Sequence, residues 1–307
     1  MGDLITTPYG FGSTTAEVSA GADLTGRRAI VTGVGQGLGR QTALALAALG
    51  ADVTGTVRTG ASGPVPRLDL ADPASVAAFV DAWHGPLHLL VCNAGGILPE
   101  LARTPAGVEL QLAANHLGHF QLATGLYDAL AAGAAEAGEA RIVTLTSSGH
   151  LYSPVVFDDL HFRYRAYSDT LGYGQAKTAN VLFGVGATAR WAAAGITANA
   201  AMPGPTLTGF QRNMDPRRLR ERLGDAAPGT VPPGFKTIEQ GAATTVFLAV
   251  SPLVAGIGGR YFEDCAEAAV VADNNGFRSG VAPYALDPGN ADRLWTESER
   301  LVALSRG

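Results

Sequence analysis

TGVGQGLGR (residues 32–40) places four glycines in nine residues, directly after the aliphatic run RRAIVTG (27–33) and directly before an Ala/Leu-rich stretch over 38–49. Glycine permits a tight turn and close approach of a ligand to the backbone, and the free N–H groups opening a helix favour an anion. Between a strand and a helix, Gly33, Gly37 and Gly39 read as a dinucleotide-binding turn. Without that context, the same spacing would equally suit a packing turn.

Working outward, short apolar runs alternate with longer helical segments. Strands are predicted at 27–33, 51–58, 65–70, 87–95, 140–148, 196–204 and 258–263, and helices at 38–49, 73–83, 106–133, 173–193 and 238–250. Strands this apolar, without strict alternation, suit a parallel sheet covered on both faces. The expected fold is therefore α/β: a single doubly wound Rossmann-type sheet of about seven strands with helices on both faces. Residues 1–23 form an N-terminal extension, and 24–307 one domain with substrate loops at about 149–172 and 205–236. One place resists this pattern. TGASGPVP (59–66) leaves no room for a crossover helix between the second and third strands. Eight extended residues reach about 26 Å, enough to span a strand but fewer than the dozen or so of an ordinary parallel crossover.

Hydrophobic residues make up 47% of the 307 and charged residues 16%, enough apolar material for a large core. A net charge of −5 argues against nucleic acid as a partner. Cys92 and Cys265 form neither a disulfide framework nor a metal cluster, which fits a reducing cytoplasm. No signal-peptide pattern opens the chain, and no apolar run reaches the roughly 20 residues of a membrane span. His116 and His119 sit one helical turn apart, yet no third ligand has metal-site spacing, so no metal is expected.

LGYGQAKTAN (171–180) carries Tyr173 and Lys177 one turn apart on a mostly apolar helix. A lysine there costs desolvation energy unless its charge is used; the plainer alternative is a lysine that snorkels past a packed tyrosine. Cofactor choice is read after the second strand, where an acidic residue would bind a ribose hydroxyl and an arginine a 2′-phosphate. The strand ends Thr56-Val57-Arg58 with no carboxylate, and Arg40 adds positive charge, so NADP(H) is favoured over NAD(H).

TGVGQGLG (32–39), Asp69 of LDL, CNAG (92–95), NHLGHF (115–120), TLTSS (144–148), YGQAK (173–177) and PGPTLT (203–208) occur in one chain and in this order. Together they resemble the short-chain dehydrogenase/reductase family, most of all its retinol dehydrogenase and WW-domain-containing oxidoreductase branch. The resemblance implies a catalytic tetrad of Asn115, Ser148, Tyr173 and Lys177. It implies a cofactor cleft formed by Gly33, Gln36, Gly37, Leu38, Gly39, Arg40, Arg58, Asp69, Leu70, Asn93, Ala94, Gly95, Tyr173, Lys177, Pro203, Gly204, Thr206 and Thr208. Asp69 would contact adenine, Lys177 the ribose hydroxyls, and Thr208 would lie near the nicotinamide; Asn115 would position a water linking Lys177 to solvent. Cys92 departs from the asparagine commoner at its position, and the short crossover removes a helix start that helps hold the adenosine phosphate.

The expected activity is hydride transfer between NADP(H) and the alcohol or carbonyl of a small, apolar molecule, with Tyr173 as general acid/base and Ser148 bonding the substrate oxygen. A nucleotide sensor without turnover and a non-redox dehydratase or isomerase are the alternatives. The chain is expected to be a cytoplasmic monomer or homodimer. Ser147 is the competing choice for Ser148. His150, Tyr152 and Phe157 are candidates for the pocket wall or for loop packing. RRLRER (217–222) reads as a solvated helix face, and ADRLWTESERLV (291–302) as a packing helix.

Overall fold

The computed structural model describes residues 3–59, 65–208, 230–274, 276 and 279–306. Strands β1 (Arg28–Thr32), β2 (Asp52–Thr56), β3 (Leu89–Cys92), β4 (Ala140–Leu145), β5 (Ile196–Met202), β6 (Tyr261–Glu263) and β7 (Ala266–Glu267) form one sheet in the order β2-β1-β3-β4-β5-β6-β7. Every pairing is parallel except the terminal β6–β7 hairpin. Every residue of β3, β4 and β5 is buried, because helices cover both faces.

The expected strand at 65–70 is not one. Only a single parallel bridge joins Val57 to Arg67, with the Val57 N–H donating to Pro66 O and the Leu68 N–H to Val57 O. Pro66 has no N–H to offer a ladder, and the short connection cannot carry a covering helix. The strand that sequence reading missed is β7, two residues long and joined to β6 through Asp264 and Cys265, both at positive φ.

Caps set several helix limits. After α1 (Thr15–Val18) and α2 (Gly37–Ala48), helix α3 (Pro73–Asp81) starts where the Asp72 carboxylate accepts from the Ala74 N–H, with proline in its first turn. The expected helix over 106–133 is broken instead. It comprises α4 (Leu110–Leu112), a π-helical turn at Ala113–Leu117, α5 (Gly118–Gly125) and α6 (Tyr127–Ala137). Helix α7 (Asp169–Trp191) starts four residues earlier than expected, under a Ser168 cap. Helix α8 (Ile238–Val250) opens with a Thr237/Gln240 capping box, and α9 (Pro288–Arg306) ends the described chain.

Ile30, Leu90 and Ile142 face a core shared with α5, α6 and α7, while Val31, Val91 and Val143 face α2 and α8. The N-terminal residues run along the β7 edge, where the Ile5 N–H donates to Glu267 and the Glu267 N–H to Ile5 O. Helix α9 lies across α7 and brings Trp295 against Phe120 and Trp191, with ring centroids 4.9 and 5.2 Å apart. Among the described residues, no helix is long and apolar enough to cross a membrane, and no three His, Cys, Asp or Glu side chains are placed to hold a metal.

Candidate active site

The carboxyl ends of β1, β3, β4 and β5 gather the loops that carry the expected residues, where open parallel sheets bind ligands. Gly33 and Gly37 adopt φ of 76° and 61°, and α2 begins at Gly37, where the N-cap residue Gln36 makes no side-chain bond to the first N–H groups. A Cβ on Gly39 would collide with the Asn93 amide and with Gly33 O. That amide donates to Thr32 O at 2.7 Å, while the N–H groups of Asn93 and Ala94 both donate to Thr32 Oγ1 at 2.9 Å. Asn93 thus braces the glycine turn from below.

His119, treated as a metal candidate and set aside, completes this brace. Its Nδ1 donates to the Asn115 carbonyl (3.1 Å), which leaves Nε2 to accept from the Thr32 hydroxyl (2.9 Å). His116 pairs with Ser298 of α9 at 2.8 Å. Burial pulls His116 down to about 3 and His119 to about 4, so both stay neutral.

The π turn reorients Asn115, a distortion that recurs at functional sites. Its side-chain oxygen accepts from the Gly96 N–H (2.8 Å) and its amide donates to Gly96 O (3.0 Å). A Cβ on Gly95 would meet the Asn115 oxygen and lie 3.5 Å from Lys177 Nζ, so these three residues share one small space. Lys177 is 4% exposed, donates to Leu145 O at 2.9 Å and lies 5.5 Å from the Tyr173 ring centre. Desolvation pulls its ammonium down to about 8, so it remains charged at neutral pH.

Ser147 and Ser148 play different parts. The Ser147 hydroxyl accepts from the Gly149 N–H (3.0 Å) and caps a 3₁₀ turn over Ser148–Tyr152. Tyr173 rests on that turn, since a Cβ on Gly149 would stand 2.9 Å from its ring. His150 is fully buried. Its Nδ1 donates to Ser147 O (2.8 Å), its Nε2 accepts from the Ala282 N–H (3.1 Å), and its own carbonyl accepts from the Tyr284 hydroxyl (2.7 Å). Its ring ties this turn to the segment at Ala282, whereas Phe157 packs under Arg293 of α9.

The remaining cofactor candidates border the same cleft. Thr208 faces Gly37 of the glycine turn, and the Thr206 hydroxyl donates to Gly204 O. Arg40 and Arg58 are exposed, as is Arg67, which donates to the Arg58 carbonyl and was not singled out from the sequence. Asp69 stabilises its own turn by accepting from the Ala71 N–H, and Leu70 packs on Gly118. Lys236 was also missed: buried beneath Gly204, it pairs with Asp264 at 2.6 Å. RRLRER lies outside the described residues, as do residues 209–229 of the second expected substrate loop.

A cradle with no room for side chains, an uncapped helix start and a parallel sheet define the class of dinucleotide-binding α/β proteins. The short chain dehydrogenase family matches residues 27–219, and the chain belongs to it. The sequence is 50% identical over 295 residues to a Streptomyces antibioticus protein named as an oxidoreductase, covering 89% of this chain and 96% of that one. It is 32% identical to mouse retinol dehydrogenase 12, covering 91% and 87%. A crystal structure of an uncharacterized protein from Mycobacterium paratuberculosis superimposes with a TM-score of 0.70 at 30% identity, over 95% of this chain and 98% of that one. Two further solved structures hold nicotinamide cofactors: a Beutenbergia cavernae protein named as a gluconate 5-dehydrogenase, with NADP (26% identity, TM-score 0.57, covering 79% and 96%), and a Pseudomonas 3-alpha-hydroxysteroid dehydrogenase with NADH (25%, 0.60, covering 76% and 94%). This protein is an NAD(P)-dependent oxidoreductase acting on small molecules.

Proposed function

We propose that the protein reduces a carbonyl, or oxidises the corresponding alcohol, on a small and largely apolar molecule, with NADP(H) as hydride carrier and Tyr173 as general acid/base. The observation that carries this reading is the meeting of the Ser148–Gly149 turn, the Tyr173 ring and the buried Lys177 ammonium beside the glycine cradle. The bound nicotinamide supplies the hydride. Gly33, Gln36, Gly37, Leu38 and Gly39 hold the pyrophosphate against the α2 start. Arg40, Arg58 and Arg67 favour a 2′-phosphate, and Ala94, Gly95 and Pro203–Thr208 wall the nicotinamide end.

Tyr173 must give up a proton that a free phenol holds to about pH 10, and lowering that by ~3 units takes about 4 kcal/mol. A unit charge about 5–6 Å from the phenolate oxygen would supply about 3 kcal/mol at an effective dielectric of ~20. Lys177 thus provides most of the bias toward phenolate. Ser148, whose neighbour Ser147 is committed to the cap, is the hydroxyl left to bond the substrate oxygen as charge develops on it. Asn115 braces Gly96 and keeps the floor of the site fixed. The likeness to a retinol dehydrogenase supports an apolar substrate body.

The test is NADPH consumption with a panel of ketones, native against Tyr173→Phe. A loss of roughly 10²–10⁴-fold in kcat is expected; undiminished turnover by the variant would sink the reading. Arg58→Ala is expected to lower the NADPH-over-NADH ratio of kcat/KM by about tenfold, the loss of one charge-assisted phosphate contact. Two buried thiols and the absence of a candidate membrane helix among the described residues support a cytoplasmic protein, and α9 lying across α7 supports a monomer.

A further inference from the structure

Strand β6 holds two polar atoms that nothing in the described chain satisfies. Tyr261 is 1% exposed and its hydroxyl has no hydrogen-bond partner. Glu263 stands two residues on, on the same face of the strand. Its Oε1 accepts from the Gly280 N–H at 2.8 Å, which fixes the carboxyl plane, while its Oε2 is buried and unpartnered. Phe262 between them points to the opposite core, so Tyr261 and Glu263 both face the α7 side of the sheet. Glu263 is in register with Met202 at the carboxyl end of β5, and Tyr261 with Ala200.

Two observations connect this pair to the catalytic centre. The Tyr261 ring packs at 5.0 Å on His150, two residues after Ser148. A charge on the Tyr173 phenol acts on Tyr261, as do those of Glu263 and Asp264. The neighbouring Asp264 is already neutralised by Lys236 at 2.6 Å, so the cation there is spoken for. Burial raises both Tyr261 and Glu263, and each keeps its proton further up the pH scale than it would in water. Buried polar atoms without partners are few in native proteins, and ligand sites are where a few such groups converge among apolar walls.

We propose that Tyr261 and Glu263 form a second polar anchor for the substrate, taking a hydroxyl group carried on its body away from the reacting carbon. One hydroxyl satisfies both atoms: it accepts from the Tyr261 O–H and donates to Glu263 Oε2. This rests on the oxidoreductase reading above and narrows its substrate class to hydroxylated ketones and the matching diols. No bond is made or broken at the anchor.

Two measurements on the full-length protein test it. In the first, hydroxyketones of graded hydroxyl-to-carbonyl separation are compared with matched ketones lacking the hydroxyl, using NADPH. At the fitting separation the native kcat/KM ratio is expected to exceed about tenfold, and Tyr261→Phe and Glu263→Ala each to bring it toward one. Equal ratios in native and variants, with turnover still dependent on Tyr173, overturn the anchor but leave the redox reading intact. Absence of any Tyr173-dependent turnover would count against the redox reading instead. The second measurement needs no turnover. Diols, but not matched alkanols, should raise the melting temperature of the native protein with NADP⁺, and Tyr261→Phe should abolish the difference. Without ligand, Tyr261→Phe should melt no lower than native, because it removes an unsatisfied group. A lower melting temperature, or a diol effect that survives in the variant, overturns the proposal, as does the finding that the pair holds only a buried water.

Discussion

Lys177 is expensive to bury and is buried anyway. The desolvation that pulls its pKa to about 8 leaves the ammonium charged at neutral pH but close to release. Affinity for NADP(H) should therefore weaken as pH rises through about 8, read by fluorescence titration, and Lys177→Met should bind weakly at every pH without that step. A flat native profile from about pH 7 to 9 would show that the charge is idle. His150 acts one layer back, as a positioning residue. His150→Ala strands the Ala282 N–H, at about 1–3 kcal/mol for a buried group left unpaired, and leaves the Ser147 carbonyl only the backbone N–H of residue 150. Because the turn it ties down begins at Ser148, kcat should fall more than KM rises. His150→Asn, which keeps a donor near the Nδ1 position, should recover part of the loss. Equal losses in both variants, tracking only their melting temperatures, would reduce His150 to a packing residue.

Elements were legible in the sequence where a local rule fixes them. The glycine turn between strand and helix, the Asp72-Pro73 start of α3 and the Thr237/Gln240 box of α8 are each written in adjacent residues. Misreadings arose where partners are distant. VPRLDL has the composition of a strand, yet only the fold shows that one bridge is all it makes. The π turn has the same residues as a regular helix would; its extra residue becomes visible once Asn115 is found holding Gly96. Helix α9 was read correctly as packing, but not what it packs on. Trp295 meets Phe120, Phe183 and Trp191, and Ser298 meets His116, so α9 covers one face of α5 and α7 and denies it to a second copy of the chain. Two outcomes follow for this element. The full chain should elute as a monomer in light-scattering chromatography, with a dimer at micromolar concentration refuting the cover. Trp295→Ala should cost about 3–5 kcal/mol in urea unfolding, the range for emptying a large aromatic site.

At the scale of the whole molecule, the chemistry that sequence reading located is local, and the chemistry it missed is assembled by the sheet. Tyr173 and Lys177 are one turn apart and could be paired on paper. Lys236 and Asp264, or Tyr261 and His150, come together only when β6 is laid beside β5. The same assembly buries His116, His119 and His150 as neutral rings, near pKa 3, 4 and 4, and this sets how the fold responds to acid. The unfolded chain binds a proton at each below about pH 6.5, whereas the folded chain resists until about pH 4, so the unfolded state holds more protons across that interval. Stability contributed by these rings is thus complete above about pH 6.5 and is lost as pH falls toward 4. With all three titrating, the slope approaches about 4 kcal/mol per pH unit. Glu109 and Glu263 oppose it: burial raises both, so folding takes up their protons and they favour the fold as pH falls toward the ordinary carboxylate range. Two carboxyls only partly offset three histidines, and His88 and His161 shift in the histidine direction too. The urea midpoint should therefore drop steeply between about pH 6.5 and 5 while staying nearly level from about 7 to 8. His116→Asn, which removes one ring that must charge on unfolding, should flatten the acid limb by about one third even though it lowers stability at neutral pH. An unchanged limb in that variant would mean that the rings are wetter in solution than their packing implies.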